Sequence, residues 1–194
     1  MMRVISGRFD YGDFCALSRS GQGHLRVGQY VQAEHRLRAA LALWRGPALT
    51  DVTEYLAETE RPSIDEAYME TLECRISANL ALGQHAQLTK ELVGLVQAYP
   101  LRERLRAQLM MALYASDRQA DAFAVFHEGR QRLAEELGVD PGAALQRTYQ
   151  AILTGRMGDS ASETSLAPMD SDTSDDLSHQ YPTPFLVTTG DYTP

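Results

Sequence analysis

The sequence predicts an all-α protein of about seven helices, stacked as consecutive helix pairs with an added tail. Three observations predict it. Apolar residues recur three or four apart through most of the first 153 positions, the period of a helix with one buried face. No segment alternates apolar and polar side chains over the length of a strand. A turn signature containing glycine returns along the chain, so neighbouring pairs share one plan.

The elements follow in order. A short first helix is expected around Asp13 to Ser20. Val27 to Trp44 carries Val31, Leu37, Ala40, Leu41 and Trp44 on one face. Ile64 to about Ala81 carries Tyr68, Leu72, Ile76 and Leu80, and Gln84 to Tyr99 carries Leu88, Leu92, Leu95 and Val96. Leu101 to Ser116, Arg118 to Leu137 and Pro141 to Leu153 complete the set. Gly83 and Gly138 stand where helices should end, because glycine takes the left-handed conformation without a Cβ clash. In "GVDPGAAL", Asp140 is expected to cap the last helix and Pro141 to occupy its first position, where no amide bond is lost. Pro100 separates two helices, since it restricts Tyr99 and brings no N–H of its own.

Gly28-Gln29-Tyr30-Val31-Gln32-Ala33 has the G-x-Y-x-x-A arrangement of the turn inside a tetratricopeptide unit, and resembles one. Gly83 restates that turn, and Asp117 lies 34 residues further on, one repeat later. Asp there is expected to accept the left-handed conformation less well than glycine. A helix pair cannot bury its apolar face alone, so stacking of neighbours builds the core.

The formal net charge is −8, unevenly placed. From Arg156 onward seven acids face one base, a balance of −6, whereas the body is nearly neutral. That division puts a helical domain at 9–155 and an acidic, Ser/Thr-rich tail at 156–194, too poor in large apolar side chains to offset the entropy of ordering. A near-neutral body lacks the basic footprint of a dedicated nucleic-acid binder. No apolar run spans a bilayer and the start lacks a secretory apolar stretch, so no membrane partner and a cytoplasmic location are expected. Cys15 and Cys74 form no metal-ligand spacing and are expected to be reduced thiols.

No catalytic constellation, cofactor or metal is expected. Gly21-Gln22-Gly23-His24-Leu25-Arg26 fails as a dinucleotide loop, because Arg26 stands where the third glycine belongs and no strand precedes it. Five dispersed histidines have no ligand spacing. The adjacent carboxylate pairs diverge on a helix instead of converging on a substrate. "LRERLR" puts Arg102 and Arg106 on one face, but a salt-bridged surface explains them better than a phosphate stripe. What remains is surface for proteins. The concave side of such a solenoid comes mainly from the first helix of each pair. Glu70, Glu73 and Ser77 on one such helix, continued by Arg104, Gln108 and Met111 on the next, are the candidate contact residues.

"LALWRGPALTDV" holds the only tryptophan. The repeat phase puts Trp44 at the end of a second helix, as a seal, with Gly46 and Pro47 stopping the helix. A buried ring there predicts a loss of about 3 kcal/mol or more for Trp44→Ala.

Taken together, "LRAALALWRGPALTDV", "LALGQHAQLTKELVGLVQAYPLRERLRAQLMMALYASDRQADAFAVF" and "RLAEELGVDPGAALQRTYQAIL" closely resemble the bacterial transcriptional activator domain of the Streptomyces antibiotic regulatory protein family. The resemblance covers about residues 9–153. Tyr99 stands where the family motif has His, and Trp44, Gly46, Pro47, Pro100, Gly138 and Pro141 fall on family motifs. The resemblance implies transcription regulation, in actinomycete secondary metabolism, with protein contacts or self-association and no small-molecule ligand. Family members usually carry an OmpR-like winged helix upstream. Only a few residues precede "RFDYGDF", so direct DNA binding by this chain is not expected. The alternative is a direct DNA-binding activator whose winged helix is missing through truncation.

Overall fold

The seven helices are α1 (Gly7–Arg26), α2 (Tyr30–Ala42), α3 (Glu54–Ala81), α4 (His85–Ala98), α5 (Glu103–Tyr114), α6 (Gln119–Leu137) and α7 (Ala143–Leu153). The computed structural model describes residues 7–44 and 54–156, with side chains described at 11–44 and 62–156. The expected tail, Gly46 and Pro47 lie outside the described residues. Among the described residues there is no strand, as the periodicity predicts.

Each helix pair is closed by the same device. At the first turn the Gly28 N–H donates to the Leu25 carbonyl (3.2 Å) and the Gln29 N–H reaches back to His24 (2.9 Å). Gly83 and Gln84 repeat these bonds to Leu80 and Asn79, both at 3.0 Å. Asp117 and Arg118 repeat them again to Tyr114 (3.0 Å) and Leu113 (2.9 Å). The three turn residues have φ of 74°, 78° and 60°, so Asp117 adopts the left-handed geometry that the repeat phase demands of it. Five residues beyond each turn lie Ala33, Leu88 and Ala122, and nine beyond lie Leu37, Leu92 and Phe126, all buried. Those positions return to the same helix face, and each fully buried Leu or Phe stabilises the stack by about 1.5–3 kcal/mol.

Within the pairs, α1 packs on α2, α3 on α4 and α5 on α6; between pairs, α1 meets α3, α3 meets α5 and α5 meets α7. The odd-numbered helices therefore form one continuous layer, and the even-numbered helices flank it. The main core runs from Met69 and Ile76 of α3 through Leu92, Leu105 and Met110 to Phe126, Leu145 and Ile152. A smaller cluster of Ala33, Leu37, Cys74 and Ala78 joins the first pair to α3.

Several expected boundaries are corrected. α1 runs on to Arg26 instead of ending at Ser20. Gly21 does not break it, because a Cβ there would lie 2.5 Å from Leu37 Cγ: the glycine lets α2 approach. α3 begins at Glu54, ten residues ahead of the expected Ile64, and passes through Pro62. Pro62 is exposed, so water can serve the carbonyl that a proline leaves unbonded. α7 begins at Ala143, and Asp140 is not its cap. The Gly142 N–H donates instead to Glu103 Oε2 (2.6 Å), a carboxylate from the start of α5. α1 also begins at Gly7, six residues ahead of the expected Asp13, and the remaining ends match expectation or differ by one to three residues, the usual ambiguity of a fraying terminus.

Candidate protein-contact site

The α3–α5 seam carries most of the polar residues that the sequence nominates. Glu73 is 4% exposed and receives Arg102 Nη1 on its Oε1 (3.0 Å), with Arg104 Nη1 3.7 Å from its Oε2. Gln108, 1% exposed, donates from Nε2 to the Glu73 carbonyl (2.7 Å) and to Ser77 Oγ (2.9 Å). Glu73 and Gln108 are thus not free contact residues. They sit where the two first helices of neighbouring pairs press together, with the Glu73 carboxylate and Gln108 Nε2 occupied there and Gln108 Oε1 buried without a hydrogen-bond partner. Ser77, half-buried, belongs to the same network.

Glu70 and Arg104 remain exposed, and the structure brings them together in a cleft of about 310 Å³ on the odd-helix layer. Its other lining residues are Gln22, Leu25 and Arg26 of α1 and Cys74 of α3. The cleft thus lies over α3, with α1 on one side and α5 on the other. Met111 is half-buried and outside it. The α1 residues escape sequence reasoning because a helix thought to stop at Ser20 cannot carry them there. Arg26 has no ionic partner among the described residues, and Arg104 has only the long contacts to Glu73 and to Cys74 Sγ (3.8 Å). Burial pushes the Cys74 thiol up, and the Arg104 charge only partly opposes this. The floor is therefore a neutral thiol and not a reactive thiolate. Two guanidiniums, one carboxylate and an apolar floor suit a polypeptide partner better than a reaction.

The "LRERLR" arginines are engaged inside the molecule. Arg102 bridges Glu73 and Glu66. Burial pulls its guanidinium down, but the hydrogen bonds and charges of those carboxylates outweigh burial and raise it above the usual arginine value. Arg106 is 1% exposed and lies across α6. Its Nε donates to the Pro100 carbonyl (3.0 Å), and Gly129 makes room, since a Cβ there would lie 2.7 Å from Arg106 Cδ. Burial lowers its pKa, with the Glu128 carboxylate opposing. Pro100 thus has two tasks, ending α4 and accepting from Arg106. Neither arginine faces outward as a phosphate ligand would.

Trp44 follows α2 and is half-buried, its ring 5.7 Å from Phe14 of α1 and 4.6 Å from Tyr68 of α3. It closes the handover from the first pair to the second. Gly138 ends α6 with φ of 68°, and Pro141 is buried beneath the start of α7.

The profile of the bacterial transcriptional activator domain matches residues 9–153. The chain belongs to this family. The activator domain is 41% identical over 150 residues to regulatory protein AfsR of Streptomyces coelicolor, covering 77% of this chain and 15% of that protein. It is 39% identical over 146 residues to regulatory protein DnrI of Streptomyces peucetius, covering 75% and 54%. These relatives place it among the Streptomyces antibiotic regulatory proteins. A solved structure of Mycobacterium tuberculosis EmbR, in complex with a low affinity phosphopeptide, superposes with a TM-score of 0.72 at 34% identity, over 76% of this chain and 39% of that one. The chain therefore spans from about a seventh to just over half the length of these relatives. Among its described residues no helix is long and apolar enough to cross a membrane.

Proposed function

We propose that this domain regulates transcription by protein contact, in the cytoplasm, through the cleft over α3. The partner is a full-length activator of the same family, the transcription machinery or a second copy of the domain. One observation carries the reading: around that cleft Arg26, Arg104 and Glu70 are open to a partner, whereas Arg102 and Arg106 are tied inside. A mixed-sign surface with an apolar floor favours a polypeptide, because DNA demands several free cations in a row. No covalent chemistry is involved.

The test combines a mobility shift of promoter DNA with light scattering. The chain alone is expected to leave DNA unshifted at low salt, and to form a defined complex with a full-length family activator or with itself. Arg104→Glu is expected to weaken that complex while the chain stays folded by circular dichroism. A salt-dependent DNA shift by this chain alone would overturn the reading and favour direct DNA binding.

A further inference from the structure

On the side opposite the odd-helix layer, α4 and α6 both pack on α5 but scarcely on each other. A groove is left between them. Its first part, about 500 Å³, is lined by Ala86, Lys90 and Val93 of α4 with Ser116 and Arg118 of the turn between α5 and α6. Its second, about 320 Å³, shares Val93 and reaches Val96, Leu109, Val125 and Glu128. A further depression of about 290 Å³ shares Glu128 and Arg132 but is lined by α6 alone, ending at Glu135 and Glu136. The first two share Val93, so one trough runs along α4 and opens onto that charged stretch of α6.

The trough has an apolar middle and ends of opposite sign. Val93, 41% exposed, lies at the join of the first two parts. Lys90 marks one end and has no ionic partner among the described residues, while neighbouring Arg118 is paired with Asp121. At the other end Glu128 is paired with Arg106 and Glu136 with Arg132, which leaves Glu135 without an ionic partner among the described residues. α4 has 14 residues, so the trough can seat a segment of about 20 Å, roughly four helical turns.

We propose that this groove is a second docking site, distinct from the cleft over α3, that takes an amphipathic helix of a partner protein. The helix lays an apolar stripe along Val93, Val96 and Val125 and sets acidic residues against Lys90. Charge complementarity selects it: the apolar floor binds the stripe, the free ammonium needs a carboxylate, and the glutamate end repels a helix that is acidic throughout.

The probe is a synthetic 14-residue amphipathic peptide with leucines at helical spacing, three glutamates at one end and uncharged residues elsewhere on its polar face. Because Lys90 is the only lysine, a zero-length carbodiimide should join it to the glutamate end of the peptide, mapped by mass spectrometry of the full chain. Anisotropy titrations should show binding weakened about tenfold by Lys90→Glu and at least as much by Val93→Asp. Arg104→Glu, in the other cleft, should leave it unchanged. Replacing the peptide glutamates by lysines should weaken binding to the wild type and restore it to Lys90→Glu. Should Val93→Asp disturb folding by circular dichroism, Lys90→Glu and its rescue decide alone. Failure of the peptide to bind, cross-links that bypass Lys90, or binding lost only in Arg104→Glu would each overturn the proposal.

Discussion

The first and third helix pairs meet one packing problem with different chemistry. Each uses a glycine so that a long side chain from the partner helix can lie flat. In the first, Gly21 of α1 receives Leu37 of α2; in the third, Gly129 of α6 receives Arg106 of α5. Leu37 is fully buried and needs only space. Arg106 is equally buried but brings a charge, so the backbone must answer it: Pro100 and Val125 offer carbonyls at 3.0 and 3.5 Å. A hydrocarbon contact can form between any two apolar faces. The arginine fits only where the α4–α5 turn and α6 both present oxygen, and so it fixes register as well as burying surface.

That contrast can be broken in several ways. The largest effect is expected from Arg106→Ala, which leaves a void and two carbonyls without their donor, at about 3–4 kcal/mol in urea unfolding. Arg106→Met refills the volume but not the hydrogen bonds, and should recover about half of that loss. Full recovery would mean that the guanidinium matters only as bulk. Next comes Gly21→Ala, at about 2 kcal/mol, because the new methyl meets both Leu37 side chain and backbone. Combining it with Leu37→Ala should cost less than the sum of the two changes, the mark of direct contact.

Trp44→Ala tests the seal between the first two pairs. Its ring is half-buried, so the sequence-based expectation of about 3 kcal/mol falls to about 2 kcal/mol, read as a lowered thermal midpoint. The smallest effect belongs to the third pair. Glu103→Gln weakens the charge-assisted acceptor for Gly142 and should cost about 1 kcal/mol, with faster amide exchange confined to the first turn of α7.

Much of the fold was legible because repeats announce themselves through backbone need. Gly28, Gly83 and Asp117 fall where positive φ is required, and the buried positions follow at fixed offsets. What escaped was tertiary. The first helix was expected to stop at Ser20, and only the packing of Leu37 against Gly21 shows how α1 runs on to Arg26. Pro62 sits inside a helix because it is exposed on it. Asp140 has the composition of a cap, but the Glu103 carboxylate, 39 residues before Gly142, takes the N–H there. Of the six nominated contact residues, two line the cleft. Glu70 and Arg104 reach the cleft; Glu73 and Gln108, adjacent to the apolar stripes, are drawn into the seam between helices. No local pattern separates a polar residue that borders an interface from one that lies within it.

The account rests most on the cleft over α3 as the surface a protein partner covers. Hydrogen exchange of the chain, alone and with a full-length activator of the family, tests it most directly. Slowed exchange is predicted in the last turn of α1 around Gln22 to Arg26, along Glu70 to Cys74 of α3, and at the start of α5 around Arg104. A complex that leaves all three segments exchanging as in the free chain would contradict it.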